Sequence, residues 1–255
     1  MKLLLSNDDG VGSEGIRALA LELCHDHDLY ISAPDCERSA VSRSMTLFSP
    51  LRACPTKIKG LPDVLAYAVS GTPVDCVRLA LGNLFPAPDM VISGINVGPN
   101  LGTDVLYSGT VAAAHEAALL GYQAIAVSAC SFDPQHFDTA AKAARMGIAY
   151  LNKHPFPFGT VLNINVPDLP MEEICGVKVT RACVEQYTLK YIEREDPMGR
   201  PYYWVPRGRM TDVGQTDVDE RWSSQGYVTI TPLTYDLTDY RLMDKMDAEE
   251  FSMQQ

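Results

Sequence analysis

A chain of 255 residues with 46% hydrophobic and 21% charged residues is long enough to bury the core of one large globular domain. Its net charge of −11 argues against a nucleic-acid polymer as partner, because a phosphate backbone calls for a basic surface. The seven cysteines are scattered without a C-x-x-C pair, so no zinc or disulfide framework is expected and a reducing compartment fits. The opening apolar run is too short for a secretory signal, and no stretch has the length of a membrane span, so a cytoplasmic protein with no membrane attachment is expected.

Leu3, Leu4 and Leu5 read as a buried first strand, and Ser6, Asn7, Asp8 and Asp9 follow where it leaves the sheet. The carboxyl edge of a parallel sheet is where ligands bind. Adjacent carboxylates there raise each other's pKa, a cost that a bound Mg²⁺, Mn²⁺ or Ca²⁺ relieves. The plainer alternative is that Asp8 and Asp9 begin a polar turn at Gly10. The next residues, Gly10-Val11-Gly12-Ser13-Glu14-Gly15, spell the dinucleotide fingerprint G-x-G-x-x-G. That motif needs its first glycine tight against the strand and bare helix N–H groups for the pyrophosphate. Here Asn7, Asp8 and Asp9 intervene and Glu14 falls inside the loop, so a nicotinamide site is disfavoured.

Residues 15–24 have helical spacing with Ile16, Leu19, Ala20 and Leu23 on one face, and residues 29–34 form a second strand, completing a βαβ unit. The loop from Glu37 to Ser44 brings Ser39 and Ser44 toward the same edge, or is simply solvated. Residues 64–69 are a strand, and Thr72 with Pro73 starts a helix as N-cap and first helical residue. Residues 90–92 are the next strand, followed by a Gly- and Asn-rich loop from Ser93 to Gly102. In that loop Asn96 either completes the shell of a cation or bonds only to backbone. Ser108, Gly109 and Thr110 open a small-residue helix over 111–120, either as a phosphate-holding N-terminus or as a plain cap. A strand over 124–128, a helix over 137–153 and a strand over 161–166 complete the alternation.

This order predicts an α/β fold, a doubly wound, mainly parallel Rossmann-like sheet in three α/β/α layers, over residues 1–180. Residues 181–255 are expected to be an arm and closing segment without a core of their own. Within them, aromatic arms between Tyr187 and Pro206 flank a turn at residues 197–201, a strand ends at Pro232, and a polar tail covers 244–255. A lone hairpin does not stabilise itself in water, so it packs on its own core or on another subunit. His115, one turn into the small-residue helix, is as readily an interior residue as a catalytic one; His25, His27, His136 and His154 are expected to face solvent. No Gly-x-Ser-x-Gly elbow is present, which counts against a serine hydrolase.

The stretches Leu5–Gly10, Ser39 in its Ser-rich loop, Ser70–Val77, Ser93–Asn100, Tyr107–Ala114 and Gln225–Leu233 together resemble the SurE family, stationary-phase survival proteins that act as 5′(3′)-nucleotidases. The resemblance spans nearly the whole chain. It implies one divalent cation per subunit (Mg²⁺, Mn²⁺ or Co²⁺) held by Asp8, Asp9, Ser39 and Asn96, with Asp8 and Asp9 catalytic. It also implies phosphate contacts from Asn96, Ser108, Gly109 and Thr110, and a nucleoside monophosphate substrate. Finally, it implies a C-terminal arm exchanged between subunits of a homodimer or homotetramer. One departure is Ala40, where the family usually has glycine after the ligand serine. The expected function is a metal-dependent phosphomonoesterase acting on 5′- and 3′-nucleotides. A broader phosphatase or exopolyphosphatase and a non-catalytic nucleotide sensor are the alternatives.

Overall fold

The computed structural model describes residues 1–184, 190–205 and 216–246. In chain order the elements are β1 (Lys2–Ser6), α1 (Glu14–Leu23), β2 (Asp28–Pro34), β3 (Ala53–Ile58), β4 (Leu61–Val69), α2 (Pro73–Leu79) and β5 (Met90–Val97). They continue with α3 (Gly109–Leu119), β6 (Gln123–Ala129), α4 (Phe137–Lys153), β7 (Thr160–Val166) and β8 (Val177–Val179). The last are β9 (Ile192–Glu195), β10 (Pro201–Trp204), α5 (Asp219–Ser223), β11 (Val228–Thr234) and α6 (Tyr240–Met243).

Among the described residues, nine strands form one sheet in the order β3-β4-β2-β1-β5-β6-β7-β11-β8. From β4 to β7 all neighbours run parallel. The chain builds outward from β1 to β2 and β4, then crosses to β5 and proceeds to β6 and β7. The switch point of this doubly wound sheet therefore lies between β1 and β5, where a ligand crevice is expected. Sequence periodicity missed β3, an antiparallel edge strand on β4. Half of its side chains are exposed and only Ile58 is buried, so backbone pairing holds it and no apolar alternation marks it. It also ended β5 too early, at residue 92, because Ser93 and Gly94 resemble a turn. β11 closes the sheet, antiparallel to β7 and parallel to β8.

The alternation in β1 explains the three layers. Leu3 and Leu5 face one side with Ile16, Leu19 and Leu23 of α1 and Ile148 and Leu151 of α4. Leu4 faces the other with Val77 of α2 and Ala113, Ala114 and Ala117 of α3. Each such leucine, fully buried, contributes about 1.5–3 kcal/mol. The alanines of α3 leave almost no side-chain thickness, so its backbone lies close to the sheet with nearly every residue from Gly109 to Ala118 buried.

Of the fingerprint glycines, Gly15 is the one that packing requires. A Cβ there would fall 2.0 Å from the Ile95 carbonyl oxygen, so glycine lets the start of α1 touch β5. Gly12, by contrast, meets nothing within 4 Å.

Beyond the main sheet, β9 and β10 form an antiparallel hairpin in which every residue is exposed. Its turn is tied by Asp196, whose Oδ1 accepts from the Met198 amide at 2.8 Å and the Arg200 amide at 3.0 Å. The expected outer ends of the arms, Tyr187 and Pro206, and residues 247–255 of the tail lie outside the described residues. No described helix is long and apolar enough to cross a membrane.

Candidate active site

The exit from β1 is tightly organised. Asn7 is fully buried, and its Nδ2 donates to the Gly10 carbonyl at 3.0 Å and to Ser13 Oγ at 2.8 Å. Ser13 is itself the N-cap of α1, so Asn7 folds the loop back onto the helix start. That turn holds Asp8 buried and Asp9 half-buried at the switch point. Sequence reasoning passed over Asn7; its position between an apolar strand and two acids was the available signal.

β5 brings the opposite wall. Gly94 has φ +138°, and a Cβ there would come 2.3 Å from the Val127 carbonyl oxygen, so only glycine lets β5 follow this path along β6. Beyond it, the Val97 N–H donates to Asp9 Oδ2 at 3.0 Å. Asn96 Nδ2 donates to the Gly98 carbonyl at 2.8 Å, which turns Oδ1 toward Thr110 Oγ1, 3.3 Å away. The Thr110 hydroxyl donates to Asp8 Oδ1. Asp8, Asp9, Asn96 and Thr110 thus meet in one place.

The start of α3 closes on Asp8. A Cβ at Gly109 would lie 2.8 Å from Asp8 Cβ and 2.9 Å from its Oδ2. The Gly109 and Thr110 amides act on the Asp8 carboxylate together with the Thr110 hydroxyl. Ser108 is the N-cap, its Oγ accepting from the Val111 N–H at 3.1 Å. The helix N-terminus therefore faces a protein carboxylate, and Ser108 caps with its oxygen while keeping its own proton to donate.

Ser39 lies in the adjoining loop with its hydroxyl donated to Glu37 Oε1 at 2.7 Å. This loop is stitched to the site through backbone. The Arg38 N–H donates to the Asp8 carbonyl at 2.7 Å, and the Ser42 N–H to the Tyr107 carbonyl at 2.9 Å. Further along, the Thr46 hydroxyl donates to Asp75 Oδ2 at 2.6 Å. Asp75 also completes the capping box of α2 with Thr72, as its sequence spacing signals; the long-range bond to Thr46 has no such signal. His115 is buried on α3 against the Arg43 guanidinium, an interior position. Burial, then the Arg43 charge, pushes its pKa down to about 4. His27 and His136 are partly buried, against expectation, while His25 and His154 are exposed.

Burial is the largest influence on both acids. It raises Asp8, against the downward pull of Thr110 and the helix amides. It pushes Asp9 up to about 7, reinforced by the Asp8 charge and opposed by the Val97 amide. Neither carboxylate has an ion-pair partner among the described residues. One buried and one half-buried acid with neutral oxygens beside them are a fit for a hard divalent cation. No group of three or more His, Cys, Asp or Glu side chains able to hold a metal occurs among the described residues, so the fit rests on this smaller, all-oxygen set.

The family model described as survival protein SurE matches residues 3–189. This chain belongs to the SurE family. It is 45% identical over 260 residues to a protein named 5′-nucleotidase SurE from Synechococcus elongatus, covering 97% of this chain and 98% of the relative. A protein of the same name from Legionella pneumophila is 48% identical over 248 residues, covering 96% of each. Among solved structures, the crystal structure of the SurE protein from Aquifex aeolicus superposes with a TM-score of 0.83 at 37% identity, covering 98% of this chain and 100% of that one.

Ala40, in the loop after Ser39, has a special backbone conformation. It sits at φ +56°, in the left-handed region where glycine carries no Cβ penalty. Replacing Ala40 with Gly is expected to stabilise the protein by about 1 kcal/mol, read as a higher urea midpoint at unchanged slope. A lower midpoint would show that this conformation is not the one the loop adopts.

Proposed function

We propose that this SurE chain is a metal-dependent phosphomonoesterase that releases phosphate from nucleoside 5′- and 3′-monophosphates. The observation that carries the reading is the Asp8–Asp9 pair at the sheet's switch point, Asp8 buried and Asp9 half-buried, with no ion-pair partner among the described residues and with Asn96 and Thr110 against it. The 5′-nucleotidase name borne by relatives at 45–48% identity supports the same reaction and gives the substrate class.

Asp8, Asp9, Asn96 and, from its loop, Ser39 would hold the cation (Mg²⁺, Mn²⁺ or Co²⁺). When bound, it supplies positive charge against the phosphoryl oxygens and acidifies a nearby water. The remaining chemistry falls to the chain. The Val97 amide occupies Asp9 Oδ2, leaving Oδ1 to accept a proton from the attacking water. The water oxygen bonds to phosphorus as the bond to the ribose oxygen breaks. The departing oxygen recovers the proton, giving nucleoside and inorganic phosphate. The Thr110 proton is committed to Asp8, so Thr110 orients a carboxylate, while the Ser108 hydroxyl is free to donate to a phosphoryl oxygen.

The hairpin of β9 and β10 carries Tyr203 and Trp204 at 58% and 60% exposure, which supports its seating on a second copy of the chain. A homodimer or homotetramer is expected by sedimentation velocity at micromolar concentration. A monomer there would refute that part of the reading.

The catalytic part is tested by phosphate release from 5′- and 3′-nucleoside monophosphates, with EDTA and with added Mg²⁺, Mn²⁺ or Co²⁺. Release is expected only with a cation, and Asp9→Ala is expected to lower kcat by about 10²–10⁴-fold with an unchanged circular dichroism spectrum. Full turnover in EDTA or in Asp9→Ala would overturn the assignment. Tight nucleotide binding without release under every cation would favour a sensor.

A further inference from the structure

Asp219 lies outside the stretch matched by the family model. It is fully buried in α5, and its carboxylate joins segments far apart in sequence. Oδ2 accepts from the Gly102 N–H at 2.8 Å, and Oδ1 accepts from the Cys183 N–H at 3.0 Å and the Glu220 N–H at 2.9 Å. Its own N–H donates to the Arg181 carbonyl at 3.0 Å.

Gly102 is pressed into this contact. It has φ +52°, and a Cβ there would fall 2.7 Å from the Cys183 carbonyl oxygen. The preceding residue but one is held from beneath: the Asn100 N–H donates to Asn165 Oδ1 at 2.8 Å, and its carbonyl accepts from Asn163 Nδ2 at 2.9 Å and Asn165 Nδ2 at 3.0 Å. After Gly102, a short turn over Gly102–Leu106 leads to Ser108, whose N–H donates to the Asp104 carbonyl at 3.2 Å. The segment 97–108 thus carries site groups at both ends, the Val97 amide on Asp9 and the Ser108 cap leading into Thr110, and is clamped in its middle.

A buried carboxylate is costly unless its oxygens are well bonded, and an apolar residue of similar size would pack α5 without that cost. What the carboxylate adds is a pair of acceptors that fix one loop against another. We propose that Asp219 is a positioning residue for the active site, setting the path of segment 97–108 through the Gly102 amide and so the places of Val97, Ser108 and Thr110. This rests on the phosphomonoesterase reading for its consequence in turnover, but the anchoring itself is separately measurable.

The test is Asp219→Asn in the full chain. The side chain keeps its size but turns a donor toward one of the amides it now accepts from. Hydrogen–deuterium exchange over 97–109 is expected to speed up about tenfold or more, as loss of a charge-assisted bond implies. Well below the unfolding temperature, kcat on a 5′-nucleoside monophosphate is expected to fall about 10–100-fold, with KM changing less than about threefold. Leu151→Ala, on the buried face of α4, should lower Tm while leaving kcat and the exchange of 97–109 unchanged. If Asp219→Asn does not fold, Gly102→Ala displaces the same loop from the other side and should give the same two effects. Wild-type exchange in 97–109, or kcat within about twofold of wild type, in the folded variant would overturn the proposal. If the wild-type protein hydrolyses no nucleotide with any cation, it is the phosphomonoesterase reading that fails, and the exchange result still decides the anchoring.

Discussion

Two neighbouring carboxylates, one buried and one half-buried, are the constraint around which this molecule is arranged. Asp8 and Asp9 leave β1 at the point where the sheet reverses its order of construction, so each wall of the crevice belongs to a different half of the fold. With Asp9 raised from 3.8 to about 7, keeping it ionised at neutral pH without a counterion costs on the order of a few kcal/mol. The surroundings offer partial relief. Thr110 and the start of α3 face Asp8, and the Val97 amide faces Asp9. None of these is a full positive charge, and a divalent cation is the species that would complete the balance.

The same site explains several features that weaken the fold locally. Glycines stand at the closest backbone approaches: Gly15 where α1 meets β5, Gly94 where β5 meets β6, and Gly109 where α3 meets Asp8. The alanine-rich α3 sacrifices side-chain burial to lie near the sheet, which brings its N-terminus onto the acid. The polar cluster of Asn100, Asn163, Asn165 and Asp219 replaces apolar packing behind the loop. Each choice exchanges core energy for placement.

Much of this was legible from local pattern. α4 matches its expected span of 137–153, and Thr72 caps α2 as its spacing implies. The conspicuous acids, Asn96 and Thr110 are indeed neighbours in space. What escaped notice depends on long-range partners. β3 is an edge strand containing Pro55, held by β4 and not by an apolar face. β5 runs through Gly94 because its neighbour leaves no room for a side chain, a fact absent from the local sequence. The orientation of the Ser39 hydroxyl toward Glu37, and the bond from Gly102 to Asp219 across more than a hundred residues, follow only from the assembled fold.

Whether the acid pair holds a cation decides the role of the site. Titration of the chelator-treated protein with Mn²⁺, followed by electron paramagnetic resonance of the free ion, measures this without recourse to turnover. One bound Mn²⁺ per chain is expected in the wild type, and that binding is expected to be lost in Asp8→Asn. Binding that persists undiminished in Asp8→Asn, or no stoichiometric binding by the wild type, would contradict a cation site at this pair.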